Sequence, residues 1–429
     1  MPANSKIRLL ATAALVLLLP VLWSAATQAM PVFARQYDMS CTACHAAYPR
    51  LNQFGEHFAA SNMRLPNWRE TMQDTGDDQL ALPPYPPLAV RAQAYAQART
   101  GKSIDPITGD TVDASSDFQA PYLVKLLSSA PLSDHITYYF YAIFAEKGSN
   151  GETVVEDAWF RHDDLFGTGV GMQLGQFQVS DLMFPRETRL PFQDYMVYRM
   201  AEITYDRGVL FDRGVGAFDV ALGLVNGNGI EQNFNINSPG YRRPDKMFDN
   251  NADKSVFGRI GIDVGPANFG LFGLAGEQKN ATGPAGTESG DRDTDKWIAG
   301  VDASGEVRGK TYWYAQVLWN SWEDFLEEGQ DYNWWGGFAG VDYIPSSRWA
   351  FSALYNLADA DDLDGTDTIY EGIDINSLSL TASYYFMRNV KAVGEVNIDF
   401  LGEDDQSGTY YTGHLDKEYY ALIGFDAAF

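Results

Sequence analysis

Cysteine is almost absent from this chain, with two among 429 residues. No disulfide framework can be built, and no second Cys pair or Cys/His spacing completes the four ligands of a structural zinc site. Basic residues are scarce as well: 31 Lys and Arg against 57 Asp and Glu leave a formal charge of -26. That balance excludes nucleic acid as a partner. Beyond Ala29 no apolar run reaches the length of a membrane-crossing helix. Also missing are a Ser/His/Asp arrangement, a Gly-rich phosphate loop and a paired-carboxylate signal.

What the chain has in quantity is aromatic side chains: 24 Tyr, 25 Phe and 10 Trp, with 40 Gly. The mean hydropathy is only -0.26. A soluble α/β enzyme does not need that aromatic load. A transmembrane barrel does, because girdles of aromatics mark its two membrane interfaces. The start of the chain reads as a secretory leader over residues 1–29. Lys6 and Arg8 precede an apolar run from Leu9 to Trp23, and Thr27-Gln28-Ala29 offers a cleavage site.

The two cysteines stand together in Cys41-Thr42-Ala43-Cys44-His45. This C-x-x-C-H is the attachment pattern of a c-type haem, one covalent haem c, with each thiol taking one vinyl group. His45 follows at once and is the expected proximal iron ligand. Residues 30–80 are expected to form a small helical haem segment. Within it Pro49 to Phe58 reads as a short helix with Leu51, Phe54 and Phe58 on one face. For the distal position Met63 is the first choice and His57 the alternative, with Met39 also near in sequence. So short a segment cannot bury a haem alone, and the rest of the chain must complete the pocket.

From Leu88 to Phe429 the periodicity is two. Leu88, Val90, Ala92, Ala94, Ala96 and Ala98 share one face, opposite Arg91, Gln93, Tyr95, Gln97 and Arg99. Apolar-out, polar-in alternation is the barrel signature. The same pattern runs from Tyr419 to a terminal Phe429. The expectation is all-β: a transmembrane antiparallel barrel of about sixteen strands, preceded by the haem segment, in the bacterial outer membrane and in contact with its lipid. One of the expected strands covers 196–207. The connections alternate between tight turns and long loops, among them 179–195. Arg91, Gln93 and Arg99 are expected in the lumen, where Arg can pair with haem propionates. Asp359, Asp361, Asp362, Asp364, Glu403, Asp404 and Asp405 make two loops acidic. The first of these approaches an EF-hand loop but lacks its first Asp and its flanking helices.

Phe33 to His45, followed by Pro49-Arg50-Leu51-Asn52-Gln53-Phe54-Gly55, resembles the fused cytochrome–porin family of the outer membrane. The resemblance covers about forty residues; over the barrel it is one of architecture. It implies one N-terminal c-type haem held by Cys41, Cys44 and His45 on a porin-like barrel. It also implies single-electron transfer from an extracellular donor such as Fe(II) toward a periplasmic acceptor such as a soluble cytochrome. Where the family continues Phe-x-x-Asn-Gly-Tyr, this chain has Phe58-Ala59-Ala60-Ser61-Asn62-Met63, which leaves the donor open. The barrel is expected to hold the haem close to the outer face, with the small segment plugging the lumen. The alternative reading is a diffusion porin with the haem segment as a structural or regulatory plug.

Overall fold

The computed structural model describes residues 31–65, 73–77, 81–83, 86–100, 103–104, 111–112, 116–146, 149–227, 229, 253–280, 292–324, 329, 331–361, 374–387, 389–401 and 419–429. The expected leader and the EF-hand-like loop from 362 onward lie outside them, as do most of the long loops.

Sixteen strands close into one barrel. The first five are β1 Leu88–Arg99, β2 Ser116–Pro131, β3 Ile136–Glu146, β4 Ser149–His162 and β5 Gly171–Gln178. Next come β6 Tyr205–Val215, β7 Phe218–Val225, β8 Ser255–Val264, β9 Ala267–Asn280 and β10 Arg292–Val307. The last six are β11 Thr311–Trp322, β12 Tyr332–Tyr343, β13 Trp349–Ala360, β14 Ile375–Met387, β15 Val390–Asp399 and β16 Tyr419–Ala428. Every strand pairs antiparallel with its neighbours in sequence, and β16 closes on β1 with Ala427 opposite Ala92. No edge is left, so every strand's backbone groups find partners within the wall.

The alternation read from the sequence sets the two faces. On β11, Tyr312, Tyr314, Gln316, Leu318 and Asn320 are buried in the lumen, and Trp319 faces outward. Phe218, Leu222, Leu224, Leu271, Val301, Leu380 and Phe425 are likewise exposed on the exterior. Aromatics gather at both ends of that apolar band. Tyr343, Trp349 and Phe351 lie toward one end; Trp297, Trp335 and Tyr419 lie toward the other. An apolar exterior with two girdles on a closed barrel is the surface of a membrane-spanning barrel of the bacterial outer membrane.

The two ends differ. Short turns such as 216–217 and 265–266 crowd one of them, the periplasmic end by the usual asymmetry. The N-terminal segment enters there. It contains α1 Pro31–Tyr37, a two-residue ladder pairing His45 with Leu51, and α2 Gln53–Ala60. Arg50 bonds Asp342 on β12 (Nε to Oδ2 2.8 Å), and its guanidinium lies 5.0 Å from the Tyr314 ring centroid. The Tyr48 carbonyl accepts from Tyr385 Oη (2.8 Å) and Lys391 Nζ (2.9 Å). Asn62 donates to the His135 carbonyl at 3.1 Å, and Arg64 meets Asp163 at 2.5 Å. All of these wall groups lie near the short-turn end. The segment therefore plugs that mouth, so the Cys41–His45 turn lies toward the short-turn end and not close to the outer face as expected.

Two further expectations are corrected. Residues 196–207 are not one strand: Met196–Met200 form a short helix, α3, and β6 starts only at Tyr205. The whole 179–204 connection folds inward, and Tyr195, Val197, Tyr198 and Ala201 are among the most buried residues of the chain. Tyr195 stacks on Phe338 with centroids 4.2 Å apart. Burial of Val197, Tyr198 and Met200 gives this short stretch an apolar character that periodicity alone cannot separate from a strand. In the N-terminal segment, α2 begins at Gln53 rather than at Pro49, because Asn52 caps it by accepting from Gly55 N at 2.9 Å. Phe58 is buried, but Phe54 is 45% exposed.

Candidate functional site

The Cys41–His45 turn is held from the next helix. Asn52 N–H donates to the Cys44 carbonyl (2.9 Å). Asn52 Nδ2 donates to the Ala43 carbonyl at 3.0 Å. The same side chain caps α2, so one Asn ties the helix start to the turn. Gly55 makes the close approach possible: a Cβ there would sit 2.1 Å from the Cys44 carbonyl oxygen. Only a residue without a side chain fits.

Both thiols are free. Burial pushes the Cys41 thiol up to about 12 and raises that of Cys44 as well. They are therefore neutral thiols rather than the activated thiolates of a redox dithiol. His45 Nδ1 lies 3.0 Å from the Pro49 carbonyl. Burial lowers the imidazole to about 4, so the ring is neutral with Nδ1–H bound to that carbonyl. This is the arrangement in which Nε2 is left to ligate a metal.

These three residues open onto a cavity of about 290 Å³. The segment contributes Phe33, Leu51, Phe58 and Met63, and the barrel contributes Ala89, Val90, Leu127, Tyr139, Tyr141 and Trp159. Tyr139 and Trp159 stack with centroids 5.1 Å apart. Charge is confined to part of the wall: Arg91, Lys125, Asp157, Asp181 and Glu187. Arg91 binds Asp426 at 2.9 Å, and Lys125 binds Glu156 (2.8 Å) and Glu187 (3.1 Å). Burial would push Glu187 up, but Lys125 and Arg91 outweigh it and hold the carboxyl below its ordinary value. Asp181 goes the other way, up to about 7, through burial and the nearby Glu187.

The donor set fits a c-type haem. Two free thiols and a neutral, oriented imidazole converge on a cavity with apolar walls and two cations at its border. Met63 lines the same cavity in a left-handed conformation (φ 54°). Its carbonyl accepts from Tyr37 Oη at 2.8 Å, and its Sδ lies 3.6 Å from Ser129 Oγ. Met39 lines it too. His57 does not: it is exposed on the far side of α2, 2.9 Å from Ser61 Oγ. Of the expected lumen cations, Arg91 reaches the cavity, whereas Arg99 sits at the other end of β1. Asp359 and Asp361 accept from Trp335 (3.0 Å) and Asn333 (3.1 Å). Among the described residues no group of three or more His, Cys, Asp or Glu could hold a metal ion. Lys125, Glu187 and Trp159 went unread in the sequence, since each is brought in from a distant strand or loop with no local motif.

No protein-family model matches this chain, and no curated protein sequence matches it. Solved structures do resemble it. The outer membrane channel DcaP of Acinetobacter baumannii has a TM-score of 0.53 at 12% identity, covering 80% of this chain and 96% of that one. OmpF of Salmonella typhi, in a complex with daunomycin, gives 0.53 at 13%, covering 80% and 97%. The anion-selective porin of Comamonas acidovorans gives 0.51 at 11%, covering 80% and 98%. At such identities the likeness shows the fold, that of the porin barrels.

Proposed function

We propose that this chain is an outer-membrane cytochrome–porin that moves single electrons from an extracellular donor toward the periplasm. The donor proposed is Fe(II), and the acceptor a soluble periplasmic cytochrome. The observation that carries the reading is the junction itself: Cys41, Cys44 and His45 open onto a cavity whose other wall is the barrel.

When bound, a c-type haem supplies a one-electron ferric/ferrous couple. The chain's own residues do the rest. Cys41 and Cys44 would hold the group covalently. Pro49 fixes the His45 ring through its carbonyl, and Met63 is the distal candidate on this cavity. Leu127, Tyr139 and Trp159 exclude water from one side, and Phe33 and Phe58 from the other. Arg91 and Lys125 are the cations placed to meet propionates. No group on this cavity need move a proton for electron transfer.

The test is anaerobic addition of ferrous iron to the purified full-length protein while the haem absorbance is followed. Reduction at one equivalent supports the reading; an oxidised spectrum in excess Fe(II) would overturn the donor. A second reading, a diffusion porin with a haem-bearing plug, draws on the porin fold and the polar cavity deeper in the lumen. Against it stands the inserted 179–204 segment, which packs the lumen with buried side chains. Single-channel conductance in planar bilayers separates the two.

A further inference from the structure

A second cavity of about 270 Å³ lies between the inserted segment and the wall of β1, β2, β15 and β16. Six cationic side chains and four carboxylates line it, in a chain of formal charge -26. Most of these charges are matched. Arg91 (2.9 Å) and Lys391 (3.4 Å) share Asp426. Lys125 is met by both Glu156 and Glu187. What remains is unequal. Arg186 (2.5 Å), Arg189 (3.3 Å) and Arg199 (2.9 Å) all converge on one buried carboxylate, Asp194.

We infer that this cluster is a binding site for a small, doubly charged oxyanion of the phosphate or sulfate class. Arg186 and Arg189 also act on Glu187, but over the whole lining six cations face four carboxylates, an excess of positive charge in a cavity where repulsion is less screened than in water. Arg186 spends its fork on Asp194 through Nε and Nη2. Arg199 reaches Asp194 through Nε alone; among the described residues neither of its Nη groups is bonded, and its side chain is 44% exposed. Solvent therefore reaches the site. Planar forks of this kind match tetrahedral and planar oxyanions.

The site is also held in place. Glu395 accepts from the backbone of Phe192 (2.6 Å) and Gln193 (2.9 Å). Asn356 donates to the Asp194 carbonyl at 3.1 Å. The closed barrel wall keeps lipid phosphates out, so the ligand is a free anion that enters through the lumen. None of this depends on the haem.

The experiment is isothermal titration of the purified full-length protein with inorganic phosphate at low ionic strength, repeated with sulfate and with acetate. The expected result is saturable binding of phosphate and sulfate, weakened by added salt, with acetate clearly weaker. Arg199→Gln, the most exposed of the three, should weaken phosphate about tenfold, the loss of one charge-assisted bond. Arg199→Lys should recover part of that loss. Absence of saturable phosphate and sulfate binding to the wild type in the millimolar range would overturn the assignment. So would unchanged affinity in Arg199→Gln, or acetate binding as tightly as phosphate.

Discussion

At the scale of single residues, the proposed attachment turn makes the sharpest demands. With no other cysteine in the chain, the double variant Cys41→Ala/Cys44→Ala should carry no covalent haem, and either single variant should carry less. Haem staining after denaturing electrophoresis is the check, and stain on the double variant would sink the attachment site. Gly55 makes a second demand. Gly55→Ala forces a Cβ against the backbone of Cys44. Backbone cannot yield as a flexible side-chain tip would, so a loss of about 1–3 kcal/mol is expected. The variant should show reduced haem incorporation with the barrel intact. Haem content per folded barrel measures it, and a wild-type ratio would refute the contact.

At the scale of elements, the inserted 179–204 segment turns on Asp194. Burial alone would raise that carboxyl, but Arg189, Arg186 and Arg199 hold it well below its ordinary value. A carboxylate depressed in the folded state contributes stability that is complete above its unfolded value of about 3.9 and is lost as pH falls through the folded value. The segment should therefore stay docked at neutral pH and loosen only in strong acid. Asp194→Ala should loosen it at neutral pH, by about 3 kcal/mol for three guanidiniums stripped of their partner. Limited proteolysis between residues 179 and 204, followed against pH, reads both effects. Equal protection of variant and wild type at neutral pH would show that the aromatic packing around Tyr195 and Phe338 suffices.

At the scale of the whole molecule, closure is the decisive event. The last residue takes part in it: Phe429 N–H donates to the Val90 carbonyl (2.9 Å), and Val90 N–H donates to the Phe429 carbonyl (2.7 Å). The ring itself is 57% exposed on the outer face, so it adds little to the packed interior. Phe429→Ser should impair assembly in the membrane while leaving the haem turn's chemistry untouched. The measurement is the yield of heat-modifiable barrel in outer-membrane fractions. Wild-type yield would mean that the seam forms from backbone pairing alone.

The strands were legible because a barrel wall separates two solvents, and period two records that separation residue by residue. Leu88 to Ala98 on one face of β1, and Tyr419 to Phe429 along β16, declared both their strands and their orientation. The proposed haem turn could be read as a candidate because its chemistry requires adjacent residues, Cys41, Cys44 and His45. The lumen was not legible. Met196 to Met200 form a short, largely buried apolar run that periodicity alone cannot tell from a strand. The approach of Gly55 to Cys44 and the three arginines on Asp194 are close in sequence but carry no motif that announces them, and the facing of Met63 but not His57 onto the cavity depends on how the segment packs against the wall. The sequence by itself determined the barrel and the two faces of its wall, since local periodicity encodes them, and the spacing of Cys41, Cys44 and His45 carries the proposed attachment turn. Only the tertiary structure decided which mouth the turn occupies and what lines its cavity, because those contacts join residues that lie hundreds of positions apart.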